Sequence, residues 1–248
     1  MTVLFALLGL LGGGLVNQLG SDLPARRSIT RPHCPYCGRV RPWWQWLALP
    51  AYLIGRVGCP CCGAPIGLRH PLVEIGLAVA YDHLWVMLGP SVKLILYLIY
   101  STIFAVILIT DVERRLILNV VMYPAILIAI VASFFTPGMR WEYALAGGAL
   151  GFVFFLVAAL VGNVLFGGGA LGGGDVKLAA FVGLITGFPL VIEALVLTIL
   201  IGGAISLILL ITRVRGRRDP IPYGPFLIAG AVITLLWGYP IAEWFLRR

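Results

Sequence analysis

Polar and charged residues in this chain are gathered into short intervals, and the stretches between them are apolar on every side rather than along one helical stripe. A helix apolar all round belongs in a core or a bilayer, and about 20 such residues cross a hydrocarbon layer roughly 30 Å thick. The runs predict eight spans, near residues 2–19, 71–89, 92–110, 117–135, 141–165, 176–189, 190–211 and 225–243. The sixth is short, and TGFPLV joins it tightly to the seventh. The one long polar break predicts the organisation: a first transmembrane helix over 1–19, an inserted domain over 20–70, and a transmembrane domain over 71–248. The opening MTVLFALLGLLGGG has no basic residue ahead of its apolar core, which a secretory signal would carry, so a retained helix is expected.

Composition agrees with that pattern. Hydrophobic residues make up 60% of the 248 and charged residues 11%, with a mean hydropathy of +1.02, whereas about a quarter of a soluble domain is charged. The expected class is an all-α polytopic membrane protein with about eight transmembrane helices and a small cytoplasmic insertion. The net charge of +8 then reads as topology and anionic-lipid contact, and nucleic acid is not needed to explain it. With the insertion inside, only Lys93, Arg140, Arg247 and Arg248 of the 18 Lys and Arg fall outside, so the positive-inside rule puts both termini outside.

The insertion carries HCPYCG and, further on, GCPCCG. Two Cys-Pro-x-Cys-Gly turns supply Cys34, Cys37, Cys59 and Cys62, a set suited to a tetrahedral structural zinc site whose closed shell leaves no catalytic position. Cys61 is an alternative to Cys62, although the CPxCG symmetry favours Cys62. Disulfides are the competing reading, and a reducing cytoplasm disfavours them. With four cysteines available, His33 and His70 read as loop residues. Trp43, Trp44 and Trp46 read as headgroup anchors rather than a cofactor platform.

Two acids lie at one membrane level. Asp111, in VILITDVERRLI, closes the third span, and Asp175, in LGGGDVKLAAF, opens the sixth. Ionisable groups at membrane depth are costly and usually face a cavity or partner. Capping is the alternative role, stronger for Asp175 at a helix start than for Asp111, which opposes the dipole at a helix end. Two carboxylates at close range share a proton, so one activates a water while the other polarises a carbonyl.

These residues carry a resemblance. Asp111 with a following apolar stretch and Pro124, then Gly172, Gly173 and Gly174 before Asp175, with Lys177, resemble the GxGD aspartic proteases of the prepilin peptidase (type IV leader peptidase) family. The cysteine segment through GAPIGLRHPLVE, the first-helix segment GLLGGGLVNQLGSDLP and the IPYGPFLIAG motif are similar to the bacterial bifunctional members. The resemblance implies cleavage of the basic leader from type IV prepilins, pseudopilins or competence pilins at the cytoplasmic face of the bacterial inner membrane. It further implies N-methylation of the exposed amine with S-adenosylmethionine. Asp111 and Asp175 would be catalytic, with the glycines and Lys177 supporting. Glu74, in HPLVEIGL, matches an acid of the family pattern and is a candidate for the methylation site or for positioning the substrate amine, or else a structural partner of Arg69 or Asn17. The chain departs from the pattern where Ser21-Asp22 stands for a frequent Tyr-Arg pair, and where proline is delayed to Pro124.

Three alternatives stay open: a peptidase without methyltransferase activity, an intramembrane protease of the presenilin or signal-peptide-peptidase type, and a non-enzymatic zinc-knuckle assembly factor. The insertion and the missing Tyr-Asp at the first aspartate argue against the second. Glu113 reads as an interfacial residue paired with Arg114 or Arg115, and the pattern assigns no role to Asp82 or Glu193.

Overall fold

The computed structural model describes residues 1–25, 30–166, 172–213 and 221–246. Arg26, Arg27, Arg215, Arg217, Arg218, Arg247 and Arg248, which contribute to the orientation argument, lie outside the described residues. The described chain is helical: α1 (Thr2–Asp22), α2 (Ala48–Leu53), α3 (Arg69–Leu88), α4 (Val92–Arg114), α5 (Asn119–Ser133), α6 (Trp141–Phe166), α7 (Gly173–Thr186), α8 (Leu190–Ile211) and α9 (Gly224–Leu246). All but α2 answer to a predicted span. Five of them, α1, α3, α4, α6 and α8, are each long and apolar enough to cross a membrane, so the protein is a multi-pass membrane protein. At 15 and 14 residues, α5 and α7 are shorter.

Helix ends fall where local chemistry puts them. Beyond α4, Arg115 takes the left-handed φ of 54° while its N–H still reaches the Asp111 carbonyl at 2.8 Å. Gly187 ends α7 with φ 71°, and its N–H closes on the Gly183 carbonyl at 2.9 Å.

The chain forms two compact units, Met1–Ile109 and Thr110–Arg248, and the division falls within α4. In the first unit α1 and α3 run antiparallel with their backbones almost touching. A Cβ on Gly13 would lie 2.5 Å from Glu74 Cα, and one on Gly9 would strike the Leu77 carbonyl. Phe5 stacks on Trp85 with ring centroids 4.4 Å apart, and the Tyr81 and Thr102 hydroxyls meet at 2.6 Å between α3 and α4.

The second unit repeats the device. Gly147 and Gly151 of α6 face Ala179 and Gly183 of α7, where a side chain on Gly147 or Gly183 would collide with the other's carbonyl. Lipid tails are as apolar as leucine, so helices in a bilayer associate through close packing, which small residues four apart permit. That seam fixes α7, whose Leu178, Ala179, Phe181 and Val182 are wholly buried.

The insertion holds structure that the hydrophobic pattern does not predict. A single 3-10 turn, Trp43–Gln45, leads into α2. Its apolar run is too short to read as a span and, with Pro50 inside it, does not read as a helix.

If the α6/α7 seam holds the second unit together, Gly183→Val lowers the thermal midpoint in detergent, overpacking of this kind costing about 1–3 kcal/mol. Gly203→Val, where an added Cβ meets nothing within 4 Å, leaves the midpoint near that of the parent. Equal midpoints for the two variants would show that the seam does not carry stability.

Candidate metal centre and aspartate site

The two cysteine turns are built alike. In each, a glycine in the left-handed region, Gly38 or Gly63 with φ 71°, donates its N–H back to the first cysteine's carbonyl at 2.9 Å. The first cysteine's N–H in turn reaches the residue after that glycine, Arg39 or Ala64, also at 2.9 Å. The resulting loops aim four sulfurs at one point. Cys34 Sγ lies 3.6 Å from Cys62 Sγ, Cys37 Sγ lies 3.7 Å from Cys59 Sγ, and all four fall within 4.8 Å of one another. Four sulfurs about 2.3 Å from a central zinc are roughly 3.8 Å apart.

Charge explains why the site suits a cation. The amides of Cys62 and Cys61 donate to Cys59 and draw its thiol down to about 6. At Cys37 the Arg39 amide favours the thiolate, yet desolvation and the sulfurs of Cys59, Cys62 and Cys34 push it up to about 12. Four thiolates so close repel one another, and a divalent ion removes that repulsion. Cys61 is exposed and outside the cluster, so the fourth sulfur of the cluster is that of Cys62. Neither His33 nor His70 joins it: His33 Nδ1 lies 3.2 Å from Thr30 Oγ1, and His70 Nε2 lies 3.2 Å from Arg69 Nη2.

In the second unit, Asp111 sits in the last turn of α4, one turn before its end, and is 5% exposed. Its Oδ2 accepts the Gly224 N–H at 3.0 Å. Gly224 is the first residue of α9, so the carboxylate faces the positive end of another helix. This answers the objection that a carboxylate at the end of α4 opposes its own helix. It also assigns Gly224 a role that sequence reasoning missed: a Cβ there would come within 2.5 Å of Asp111 Oδ2. The glycine of the IPYGPF motif was its only signal.

Asp175, half-buried, occupies the first turn of α7. Its Oδ2 accepts the Gly172 N–H at 3.1 Å, and its own N–H reaches the Gly172 carbonyl at 3.0 Å. Gly173 and Gly174 lie inside the helix rather than before it. A side chain at Gly174 would press on Ile117, with the added Cβ 2.7 Å from Ile117 Cβ, so this glycine allows the 115–118 connection to pass close to α7. Asp111 and Asp175 stand within electrostatic reach of each other. Lys177, which follows them in the motif, donates to Asn119 Oδ1 at 2.6 Å and lies 4.9 Å from the centre of the Tyr123 ring. It thereby ties α7 to α5.

Glu74 is 1% exposed. Its two oxygens accept the N–H groups of Ala48 and Leu49, each at 2.7 Å, so it caps the start of α2. Of the partners expected for it, Asn17 does hydrogen-bond Glu74 and also donates to the His70 carbonyl at 2.9 Å, whereas Arg69 donates to Ser21 Oγ at 3.0 Å. Asp22, noted in the sequence only as a departure from the family pattern, is buried and accepts from Gln18 Nε2 at 2.6 Å, Thr30 N at 2.9 Å and Thr30 Oγ1 at 3.1 Å. Asp82 and Glu193 each bury a carboxylate oxygen without a hydrogen-bond partner among the described residues; nothing in the structure explains either.

Comparison with known proteins matches both units. The profile of the type IV leader peptidase family matches residues 98–207, and that of the bacterial peptidase A24 N-terminal domain matches residues 7–88. A prepilin leader peptidase/N-methyltransferase of Bacillus subtilis is 26% identical over 249 residues, covering 100% of this chain and 98% of its own. One from Pseudomonas aeruginosa is 28% identical over 215 residues, covering 86% of this chain and 74% of its own. No solved structure matches the chain.

The cysteine geometry predicts about one zinc per purified chain, as a closed four-sulfur site holds. Metal analysis of single Cys→Ser variants checks it. Cys61→Ser retains the metal and Cys62→Ser loses it; the reverse pattern would move the fourth ligand to Cys61. Because the ligands bind as thiolates, metal is retained at neutral pH and released as the pH falls.

Proposed function

We propose, from the premise that this chain belongs to the type IV leader peptidase family, that it is a prepilin-type leader peptidase. It cuts the basic leader of prepilins, pseudopilins or competence pilins at the cytoplasmic face of the bacterial inner membrane, and it methylates the new N-terminus. What supports the reading is that Asp111 and Asp175 each accept an amide at the start of a helix, α9 and α7, and stand within electrostatic reach of each other. A substrate with its leader inside and its apolar helix in the bilayer offers its scissile bond at the level where these helices begin.

In this reading the two carboxyl groups hold one proton between them, and the titration belongs to the pair. The ionised member takes a proton from a water whose oxygen bonds to the scissile carbonyl carbon. The protonated member gives its proton to the carbonyl oxygen. Collapse of the tetrahedral adduct breaks the C–N bond: the leaving amine takes up the proton that came from water, while a hydroxyl of the adduct returns its proton to the other carboxylate as the carboxyl product forms, which restores the pair. The Gly224 N–H holds Asp111 in one orientation throughout, and the α6/α7 seam and the Lys177 to Asn119 bond hold Asp175.

S-adenosylmethionine supplies the methyl group when bound. The chain's part is then to hold a neutral N-terminal amine in line with it. Support for this second activity is the name shared by the relatives. Glu74 serves it by positioning the insertion, since both its oxygens are already engaged with α2.

Asp111→Asn and Asp175→Asn are each expected to lower leader cleavage by about 10²-fold or more, read by mass measurement of the pilin N-terminus. Zinc content reports that the variants fold. Gly224→Ala lowers cleavage as well, because the added Cβ displaces Asp111. Near-parental cleavage by either Asn variant would remove the pair from the mechanism and return the chain to a scaffold role.

Glu74→Ala impairs methylation more than hydrolysis, read as label transferred from S-adenosylmethionine to pre-cleaved pilin. Label transfer equal to the parent would make Glu74 purely structural. No transfer by the parent itself would make the chain a peptidase only.

A further inference from the structure

The insertion reaches further towards the membrane than a domain mounted on the helix ends would. The carbonyl of Trp46 and the side chain of Leu47 lie against Gly14 of α1: a Cβ there would be 2.7 Å from Leu47 Cδ2 and 3.7 Å from Trp46 O. Gly14 is eight residues before Asp22, the end of α1, which at 1.5 Å per residue is about 12 Å along the helix. A second, independent contact gives a similar level. The amides of Ala48 and Leu49 are held by Glu74, five residues into α3, or about 7.5 Å from its start. The 46–49 backbone therefore lies beside the spanning parts of two transmembrane helices.

The outward surface of this segment is apolar. Trp43 is 75% exposed, Trp46 48%, Leu53 81% and Ile54 60%, while Ala48 and Ala51 face inward onto Ile66. Exposed Arg39 and Arg56 and half-buried Arg41 flank it. The segment is internally braced: Gln45 Nε2 holds the Arg56 and Gly58 carbonyls at 2.8 and 2.9 Å, and the Tyr52 hydroxyl donates to the Ile66 carbonyl. Amphipathic elements with aromatic and leucine residues on one side and cations beside them seat about 5–10 Å into the boundary between headgroups and acyl chains, of the same order as the distances of about 7.5 and 12 Å along the two helices.

We infer that residues 43–54 form an interfacial element inserted into one leaflet of the bilayer, with Trp43, Trp46, Leu53 and Ile54 among the lipids and Arg39, Arg41 and Arg56 on anionic headgroups. The occupant of this surface is lipid because the segment packs on α1 at Gly14 and on α3 at Glu74, beside the exposed apolar residues Leu11, Leu15, Leu72 and Ile75 of those transmembrane helices. The element holds the cysteine cluster at a set depth, since Gln45 bonds directly to the second knuckle. None of this depends on the peptidase reading.

The test uses the full zinc-loaded chain with Cys61→Ser, in nanodiscs of phosphatidylethanolamine and phosphatidylglycerol. A polarity-sensitive NBD probe is placed at Leu53→Cys or Ile54→Cys, and at Tyr36→Cys as a control, since Tyr36 is 78% exposed on the first knuckle. Zinc content checks folding in each variant. The expected result is blue-shifted emission at 53 and 54 that is lost when doxyl-labelled lipids are included, with water-like, unquenched emission at 36. Water-like emission at all three positions would overturn the inference. Blue-shifted emission at 53 and 54 that doxyl lipids do not quench would also overturn it, since protein, such as a second copy of this chain, would then cover the surface.

Discussion

Burying a carboxylate at membrane depth is costly unless something of opposite polarity meets it. For Asp111 that partner is the Gly224 amide at the first residue of α9. The bond requires a backbone to approach the side chain closely, and only glycine permits this approach. The second aspartate meets the same requirement from the start of its own helix, through the Gly172 amide. Both acids thus sit at positive helix ends, and the rest of the second unit keeps those two ends in place. The glycine seam between α6 and α7 fixes one, and the contacts of Gly230 with Ala194 and Thr198, where a Cβ would lie within 2.6 Å of the Ala194 carbonyl, fix the other through α8.

Sequence alone was informative where a single physical rule governs. Eight apolar runs map onto eight helices because a bilayer demands long apolar stretches whatever their neighbours. Four cysteines in two like turns map onto one cluster because knuckle geometry is local. Cys61 and Cys62 differ only in which one the turn points inward, a matter of backbone direction that spacing suggested and the fold resolves. That Asp111 closes α4 and Asp175 lies in the first turn of α7 was legible from depth along their helices. What was not legible depends on contacts between distant segments. Gly224 to Asp111, Lys177 to Asn119 and Glu74 to Ala48 each join residues far apart in the chain, and no periodicity encodes them.

Glu74 shows how a pattern match and a structure divide the evidence. The resemblance marked it as a candidate for methyl-transfer chemistry, while the fold gives its two oxygens to the amides that begin α2. A buried acid so occupied shapes a neighbouring element rather than a reacting molecule. The acid and the α2 segment that it caps therefore form one feature of the fold, which a scan for reactive residues registers only as an isolated carboxylate.

The central claim is that this chain removes a leader from pilin-like proteins at a paired-aspartate site. The most direct measurement is the intact mass of such a protein's N-terminus after co-expression with the unmodified chain in cells lacking any other leader peptidase. The account predicts a product that begins after the leader's final glycine and carries one methyl group. Recovery of the full-length precursor alone, alongside folded and zinc-loaded membrane protein, would contradict it.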